Sequence, residues 1–240
     1  MAARDAESGT RVYSPAQVAR LREDRGELAL ATVSVVDGST QSVARQLAAS
    51  GPVTLLNFAS ARNVGGGFIN GAKAQEEDLC RCSALYPCLE SCTDYYETNR
   101  NQSSMLYTDA MIHSPEVPFF KVRGRGDYLA EPFTASVITA PAPNSAPYLE
   151  RHPDGRDELR ATFLRRWRNV LSVARHESAR RLLLGAWGCG AFGGDPAMAA
   201  DTAAEAIASH GGGLLDIVFA IPNRGKAGQR NYAAFRERLA

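Results

Sequence analysis

Two patterns of apolar and polar positions alternate along the chain: short β-branched or leucine-rich runs, and longer stretches with helical spacing. The runs predict strands at Leu28–Val36, Val53–Phe58, Met105–Ile112, Val117–Val122, Phe133–Ala140, Arg181–Trp187 and Leu214–Ile221. Helices are predicted at residues 14–25, Ser39–Ala49, Ala74 to about Thr98 (continuous, or broken at Pro87), Asp157–Ser178, Ala197–Ser209 and Gly225–Leu239. Strands that alternate with helices predict an α/β fold, with a mostly parallel or mixed sheet in a three-layer arrangement.

Two of the predicted strands run directly into glycine-rich loops. Val53–Phe58 is nearly all apolar, as in a buried parallel strand, and it leads to Gly65, Gly66 and Gly67. Arg181–Trp187 leads to the sequence GCGAFGGDP. Loops after parallel strands lie at the edge of an α/β sheet where ligands bind. Each loop alone could be a flexible connection, but two in equivalent positions favour backbone N–H groups that hold a phosphate-bearing ligand.

The residues after the first loop do not fit simple anion binding. Gln75, Glu76 and Glu77 follow it at the start of a predicted helix, and two carboxylates would repel a phosphate. An acidic first turn stabilises a helix by only about 0.3–1 kcal/mol, and this is the alternative explanation. Neither loop matches a dinucleotide fingerprint or a P-loop. The acidic pair therefore indicates chemistry beside the phosphate site.

Composition narrows the class of protein. The 240 residues are 45% hydrophobic and 22% charged, with a net charge of +1, which is typical of a globular protein without a field that attracts nucleic acid or membrane. No apolar run approaches the ~20 residues of a membrane span, and the N-terminus lacks the hydrophobic segment of a signal peptide. We therefore expect a cytoplasmic protein, without membrane binding or specific DNA binding.

Four of the five cysteines, Cys80, Cys82, Cys88 and Cys92, lie close together. Their C-x-C-x5-C-x3-C spacing differs from that of paired zinc knuckles, and in a helix Cys80 and Cys82 would point to different sides. We expect reduced thiols that fill space in the core, and no metal. We also expect Trp167 and Trp187 to lie in the core, and an arginine-rich helix face, Arg165, Arg166 and Arg168, to lie in solvent, where it could attract a polyanion.

The segment NFASARNVGGGFINGAKAQEEDLCRCSALYPCL, with its GGG-x7-QEE signature, resembles the short bacterial-type poly(ADP-ribose) glycohydrolases. The similarity returns at LLLGAWGCGAFGGDP and more loosely at DIVFAIPN. It implies a macrodomain-like three-layer α/β/α sandwich with a mixed central sheet. Residues 1–240 would form a single catalytic domain, with residues 1–27 as an N-terminal helical extension packed on it.

The resemblance also implies roles for individual residues. Glu77 would be the catalytic residue, Glu76 would hold hydroxyls of the terminal ribose, and Gln75 would position the loop or the ligand. The other implied ADP-ribose contacts are Asn63, Gly65, Gly66 and Gly67 in the first loop and Gly188, Cys189, Gly190, Ala191, Phe192 and Gly193 in the second, with Phe192 packed on the terminal ribose. No cofactor or metal is implied.

The implied reaction is hydrolysis of the ribose–ribose O-glycosidic bond of poly(ADP-ribose), which releases ADP-ribose. Such a reaction needs an acid that protonates the leaving oxygen. A bound diphosphate and Glu76 would both disfavour the ionised form of Glu77, whereas the helix start favours it. Glu77 would act first as a general acid and then as a base that activates water.

Two other functions remain open at this stage: hydrolysis of ADP-ribose from a modified protein or another small acceptor, and ADP-ribose binding without catalysis. Partners would be poly(ADP-ribose), ADP-ribose and ADP-ribosylated proteins, and we expect a monomer. The sequence does not distinguish cleavage at chain ends from internal cleavage, and it does not identify the residues that bind adenine.

Overall fold

The computed structural model describes residues 1–24, 31–123 and 126–240, and within these ranges the chain forms seven strands and ten helices. The strands are β1 (Arg11–Tyr13), β2 (Thr32–Val36), β3 (Thr54–Phe58), β4 (Met111–Phe119), β5 (Phe133–Ala140), β6 (Arg181–Leu184) and β7 (Asp216–Ala220). The helices are α1 (Ala2–Gly9), α2 (Pro15–Glu23), α3 (Thr40–Ala48), α4 (Gln75–Cys82), α5 (Leu85–Glu90), α6 (Thr93–Arg100), α7 (Ser145–Arg151), α8 (Arg156–His176), α9 (Pro196–His210) and α10 (Gly225–Leu239).

The strands form one mixed sheet in the order β1-β4-β5-β3-β6-β7-β2. From β5 to β2 all neighbouring strands are parallel, whereas β4 is antiparallel to β5 and β1 is antiparallel to β4. Because five adjacent strands are parallel, their carboxyl ends share one edge of the sheet.

Side chains of the parallel strands enter two hydrophobic cores in alternation. In β3, Leu55 packs in the core under α1, α3, α4, α5 and α6, and the next residue, Leu56, packs in the core under α2, α7, α8, α9 and α10. Both faces of the sheet are covered, which explains why these strands are continuous apolar runs. The predicted three-layer sandwich with a mixed sheet is confirmed.

The N-terminal region is more than a helical extension. Ser14, the first residue of the helix predicted at 14–25, caps α2: its Oγ accepts a hydrogen bond from Gln17 N at 3.4 Å, and its N–H donates to Gln17 Oε1 at 2.9 Å. Helix α1 and strand β1, which were not predicted, precede it, and β1 pairs with β4. Residues 25–27 of the expected extension and 28–30 of the expected strand lie outside the described residues. A single catalytic domain over 1–240 stays a prediction.

Several predicted boundaries were wrong. Pro87 does not break a helix; it is the third residue of α5, where its missing N–H costs little, and the breaks come at Ser83 and near Ser91. The two strands expected around His113–Pro115 are one strand, β4, with a register shift between Ser114 and Val117. The strand predicted at Val117–Val122 ends at Phe119, and the described residues from Phe120 to Tyr128 are irregular; residues 124 and 125 lie outside the described ranges.

Arg166 was expected to lie in solvent, and this prediction was wrong. Its side chain is fully buried, and its Nε donates to Asp109 Oδ1 at 3.0 Å. Its Nη atoms donate to the carbonyl oxygens of Pro141 (2.6 Å), Leu106 (2.6 Å) and Tyr107 (3.1 Å). Burial opposes the charge of Asp109, but Arg166 and Arg165 outweigh it and lower the pKa of the Asp109 carboxyl group. Arg166 therefore clamps residues 105–109, which explains why Met105–Thr108 is not a strand.

Two predictions about the core are confirmed: the tryptophans are buried, and the cysteines are free thiols in the core. Trp167 and Trp187 are buried with their ring centroids 4.9 Å apart. All five cysteines are free and buried, and four of them pack in the core that contains Leu55. Among the described residues, no helix is long and apolar enough to cross a membrane.

Candidate active site

A cleft of about 1090 Å³ lies at the carboxyl edge of the parallel strands. Its walls come from the segments that follow these strands, as expected for an α/β sheet. They include Phe58 at the end of β3, Ala142 after β5, Ala186, Gly188 and Gly190–Phe192 after β6, Ile221, Pro222 and Arg224 after β7, and Ser39–Gln41 after β2. Five strand ends thus contribute to one cleft.

The first glycine loop consists of successive turns held by backbone hydrogen bonds. Gly66 N donates to Asn63 O at 3.0 Å, and Phe68 N donates to Gly65 O at 3.1 Å. Gly66 has φ +62°, and a Cβ on this residue would overlap Glu77 Oε1 and lie 2.9 Å from Glu76 Oε2. Only glycine fits here, because the loop backbone lies directly against both carboxyl groups.

Gln75 joins helix α4 to the end of β3. Its Oε1 accepts a hydrogen bond from Phe58 N at 2.8 Å, and its Nε2 donates to Leu56 O at 2.8 Å. The side-chain amide therefore pairs with the strand as another peptide group would. This fixes the start of α4 relative to the sheet and leaves Gln75 in the cleft wall.

Glu76 is buried, with 2% of its surface exposed. Its Oε1 accepts from Asn57 Nδ2 at 3.1 Å, and its Oε2 accepts from Ser60 N at 2.7 Å. Burial raises the pKa of the Glu76 carboxyl group to about 8, although these two hydrogen bonds act in the opposite direction. Asn57 Nδ2 is also 3.2 Å from Thr139 Oγ1, so strands β3 and β5 both support Glu76.

Glu77 connects the glycine loop to the helix. Its Oε1 accepts from Gly67 N at 2.8 Å, and its Oε2 accepts from Ala74 N at 3.0 Å, immediately before α4. The second bond is an ordinary cap of a helix start, so the structural explanation for an acidic first turn is partly right. The first bond goes beyond it, because it holds the carboxyl group against the loop.

The second glycine loop is closely packed at its base and open at its tip. Gly188 has φ +80°, and a Cβ there would lie 2.9 Å from the Phe163 ring. Gly193 N and Gly194 N donate within the loop, to Gly190 O and Gly188 O. By contrast, the N–H groups of Gly190, Ala191 and Phe192 have no acceptor among the described residues. Three successive free N–H groups are a favourable arrangement for an anion.

The predicted site residues fall into three groups according to their position relative to the cleft. Those that line the cleft are Gln75, Gly188, Gly190, Ala191 and Phe192. Glu76, Glu77, Gly65, Gly66 and Gly67 lie together beside it, with the carboxyl groups behind the loop. Cys189 is buried beneath the second loop, Gly193 is in its turn, and Asn63 is exposed on the shoulder of the first loop.

Sequence reasoning missed one wall of the cleft. Ser39, Thr40 and Gln41 line it at the start of α3, and Arg224 and Asn231 line it from the C-terminal region. Gln41 Nε2 donates to Asp78 Oδ2 at 2.8 Å and links α3 to α4. Strand β2, the Asp37-Gly38 turn and the Ser39 cap repeat the strand–loop–helix pattern of the two glycine loops. That repetition was the available signal.

A row of side chains continues from the cleft wall to the surface. The rings of Phe192 and Tyr107 lie 6.2 Å apart, and the Arg62 Cζ lies 5.6 Å from the Tyr107 ring centroid. Tyr107 OH accepts a 3.4 Å hydrogen bond from Asn144 Nδ2, and Ala146 N donates to Phe192 O at 3.0 Å. The Arg166 clamp on residues 105–109 thus also fixes this side of the cleft.

The described residues contain no group of three or more His, Cys, Asp or Glu side chains that could hold a metal ion. The side chains beside the cleft are instead carboxylic acids, amides and cations. Combined with backbone N–H donors, this set can bind a phosphate-bearing ligand and transfer a proton.

Comparison with known proteins identifies similar chains. Residues 1–122 match the family described as microbial-type PARG, catalytic domain, where PARG denotes poly(ADP-ribose) glycohydrolase. The structure resembles the Thermomonospora curvata poly(ADP-ribose) glycohydrolase bound to the inhibitor ADP-HPD, with 38% identity, a TM-score of 0.87, and coverage of 99% of this chain and 88% of that one. For the Deinococcus radiodurans enzyme in complex with ADP-ribose, the identity is 39%, the TM-score is 0.89, and the coverage is 98% and 96%. No curated protein matches the chain.

Proposed function

The chain belongs to the microbial-type poly(ADP-ribose) glycohydrolases and is an enzyme of that activity, and we propose that Glu77 carries the reaction. The observation that supports this role is the position of its carboxyl group. Glu77 Oε1 is bonded to Gly67 N and lies against Gly66, at a cleft whose other glycine loop presents three free N–H groups. An acid is thus held next to a site for an anion.

We propose that one ADP-ribose unit fills the cleft. Its volume of about 1090 Å³ is slightly above the usual range for small-molecule pockets, about 300–1000 Å³, and suits a ligand as large as ADP-ribose. The diphosphate would accept hydrogen bonds from Gly190, Ala191 and Phe192 N–H, and the terminal ribose would lie between Phe192 and the first glycine loop. The adenosine half would then extend towards Ser39–Gln41 and Ile221–Arg224.

In this arrangement, protonated Glu77 donates its proton to the ribose oxygen that leaves the anomeric carbon. The bond from that carbon to oxygen breaks, and positive charge develops on the ring in an oxocarbenium-like state. The ionised Glu77 then accepts a proton from a water molecule as the water oxygen bonds to the anomeric carbon. The products are ADP-ribose and a polymer shorter by one unit, and Glu77 is protonated again.

Glu76 has a different role in this proposal. Its pKa of about 8 keeps the carboxyl group protonated near neutral pH, so it can both donate to and accept from ribose hydroxyl groups. Protonation of Glu76 also removes a negative charge that would otherwise repel the diphosphate. The two adjacent glutamates can therefore lie beside an anion at lower electrostatic cost.

Exchange of Glu77 for Gln tests the assignment, because it keeps the shape and removes the proton. We expect Glu77→Gln to lower the release of ADP-ribose from the polymer by about 10²–10⁴-fold, the usual contribution of a general acid. ADP-ribose binding, measured by calorimetry, should persist. Glu90→Gln, on the exposed side of α5, is the control and should keep full activity. Near wild-type turnover by Glu77→Gln would refute the role.

We further propose that ADP-ribosylated proteins are partners, because they carry the polymer, and that the enzyme acts as a monomer in the cytoplasm. Five free, buried thiols are typical of a reducing compartment, which supports the location. Incubation with polymer and with singly modified protein, followed by analysis of free ADP-ribose, compares activity on the two substrates. Light scattering gives the oligomeric state.

A further inference from the structure

The cleft accommodates one ADP-ribose unit, but the substrate of the proposed reaction is a polymer. The unit on the far side of the scissile bond must therefore lie outside the cleft. In the proposed arrangement the bond lies near Glu77 and Phe192. The outer row described above, Phe192, Tyr107 and Arg62, leads from this point to the surface.

Two arginines at the end of this row, Arg62 and Arg100, donate hydrogen bonds to backbone carbonyl oxygens. Arg62 Nη2 donates to Gln102 O at 3.0 Å, and Arg100 Nε donates to Arg62 O at 2.8 Å. Within the described ranges, neither arginine has a carboxylate within 4.0 Å, although eight other arginines do. Arg62 Nε is buried without a hydrogen-bond partner among the described atoms.

The two guanidinium groups are also positioned by aromatic rings. Arg62 Cζ lies 5.6 Å from the centroid of Tyr107, and Arg100 Cζ lies 6.0 Å from the centroid of Tyr96. Backbone carbonyls and ring faces orient these cations without neutralising them. The Nη donors that these bonds leave unused suit a phosphate, which accepts paired hydrogen bonds from arginine and supplies the missing charge.

We propose that Arg62 and Arg100 form a binding site for the diphosphate of the ADP-ribose unit on the leaving side of the scissile bond. The inference rests on the proposed function, because it takes the position of the bond from the role of Glu77. The site distinguishes a polymer from a single ADP-ribose, since only a polymer has a diphosphate there. It therefore contributes to substrate selection and not to the chemical step.

Arg62→Ala separates the two kinds of ligand. We expect kcat/KM for linear polymer to fall about 10-fold through KM, as for loss of a hydrogen bond to a charged group. The Kd for free ADP-ribose should stay within about two-fold of wild type, because that ligand occupies only the cleft. Arg62→Lys, which keeps the charge but loses the planar fork, should recover part of the loss. Arg236→Ala on the exposed face of α10 is the matched control and should have no effect.

Binding without turnover gives a second measurement. A two-unit oligomer should bind the Glu77→Gln protein more tightly than ADP-ribose does, and Arg62→Ala in that background should remove the difference. Unchanged polymer kinetics, or a parallel loss of ADP-ribose and polymer binding, would overturn the leaving-side site. Failure of the proposed function is a separate result, because Glu77→Gln would then retain turnover whatever residue 62 is.

Discussion

Gly66→Ala is expected to separate folding from catalysis at the first glycine loop. The change adds one methyl group at a residue with φ +62°. A Cβ there would overlap Glu77 Oε1 and approach Glu76 Oε2 to 2.9 Å, so at least one of these carboxyl groups must move. Because Glu77 is bonded to the next residue, Gly67, the loop and the acid cannot move independently.

The expected magnitudes follow from these contacts. An L-residue in the left-handed region costs about 1–2 kcal/mol. Loss of the hydrogen bond between Gly67 N and Glu77 adds about 0.5–1.5 kcal/mol. Total stabilities are about 5–15 kcal/mol, so the variant should still fold. A shift of about 1 Å in a catalytic group, however, can cost about 10²-fold in rate.

The assay compares two alanine variants by urea unfolding and by ADP-ribose release from polymer. Gly225→Ala is the control, because Gly225 has φ +65° and a Cβ there meets nothing within 4 Å. Both variants should be destabilised by the strain of an L-residue in the left-handed region. Only Gly66→Ala should also lose about 100-fold in kcat. If Gly66→Ala kept kcat within a few-fold of wild type, the close packing of loop and acid would not matter for catalysis.

Three further outcomes are expected. The pKa of Glu76 is raised to about 8 in the folded protein from an ordinary value of 4.5. Its contribution to stability is therefore complete below pH 4.5 and is lost as pH rises to about 8. Urea unfolding across pH 5–9 should show wild type losing stability relative to Glu76→Gln. Arg166→Met should lower the free energy of unfolding by about 3–5 kcal/mol in the same assay, because Asp109 and three carbonyl groups lose their buried donor. The control Arg165→Met should lower it by under ~1 kcal/mol. Equal losses of stability would contradict the clamp. The five buried thiols, whose pKa values are raised by burial, should react with a disulfide reagent only after unfolding.

Local sequence patterns predicted most strands and helices and the position of both glycine loops. The apolar run at Val53–Phe58 predicted a strand covered on both faces, and the helices predicted at residues 14–25 and Ala197–Ser209 begin within one residue of α2 and α9. The two glycine loops and the QEE sequence could be placed because each follows such a strand. Family resemblance supplied the roles of individual residues, which spacing alone could not.

The missed features depend on contacts distant in sequence. Arg166 lies on a polar stretch of α8 and became a core residue only because Asp109 and three carbonyl groups surround it. The same clamp keeps Met105–Thr108 out of the sheet, although its composition suits a strand. Residues of the cleft wall at α3 and α10 meet the glycine loops only after the whole sheet has formed. Apart from the strand–turn–cap pattern that ends at Ser39, no local pattern contains that information.

The pairing of β1 with β4 also covers part of one edge of the sheet. Without β1, the nine-residue strand β4 would present its outer backbone groups at the edge of the sheet. An uncovered edge is a template for strands of other molecules, and Pro115 and Pro118 remove only some of its donors. Arg11–Tyr13 pair with Met111–His113 at one end of this edge, and Ser83 bridges Phe119 at the other end. We therefore expect removal of residues 1–13 to expose more of this edge and to favour aggregation, an effect separate from catalysis.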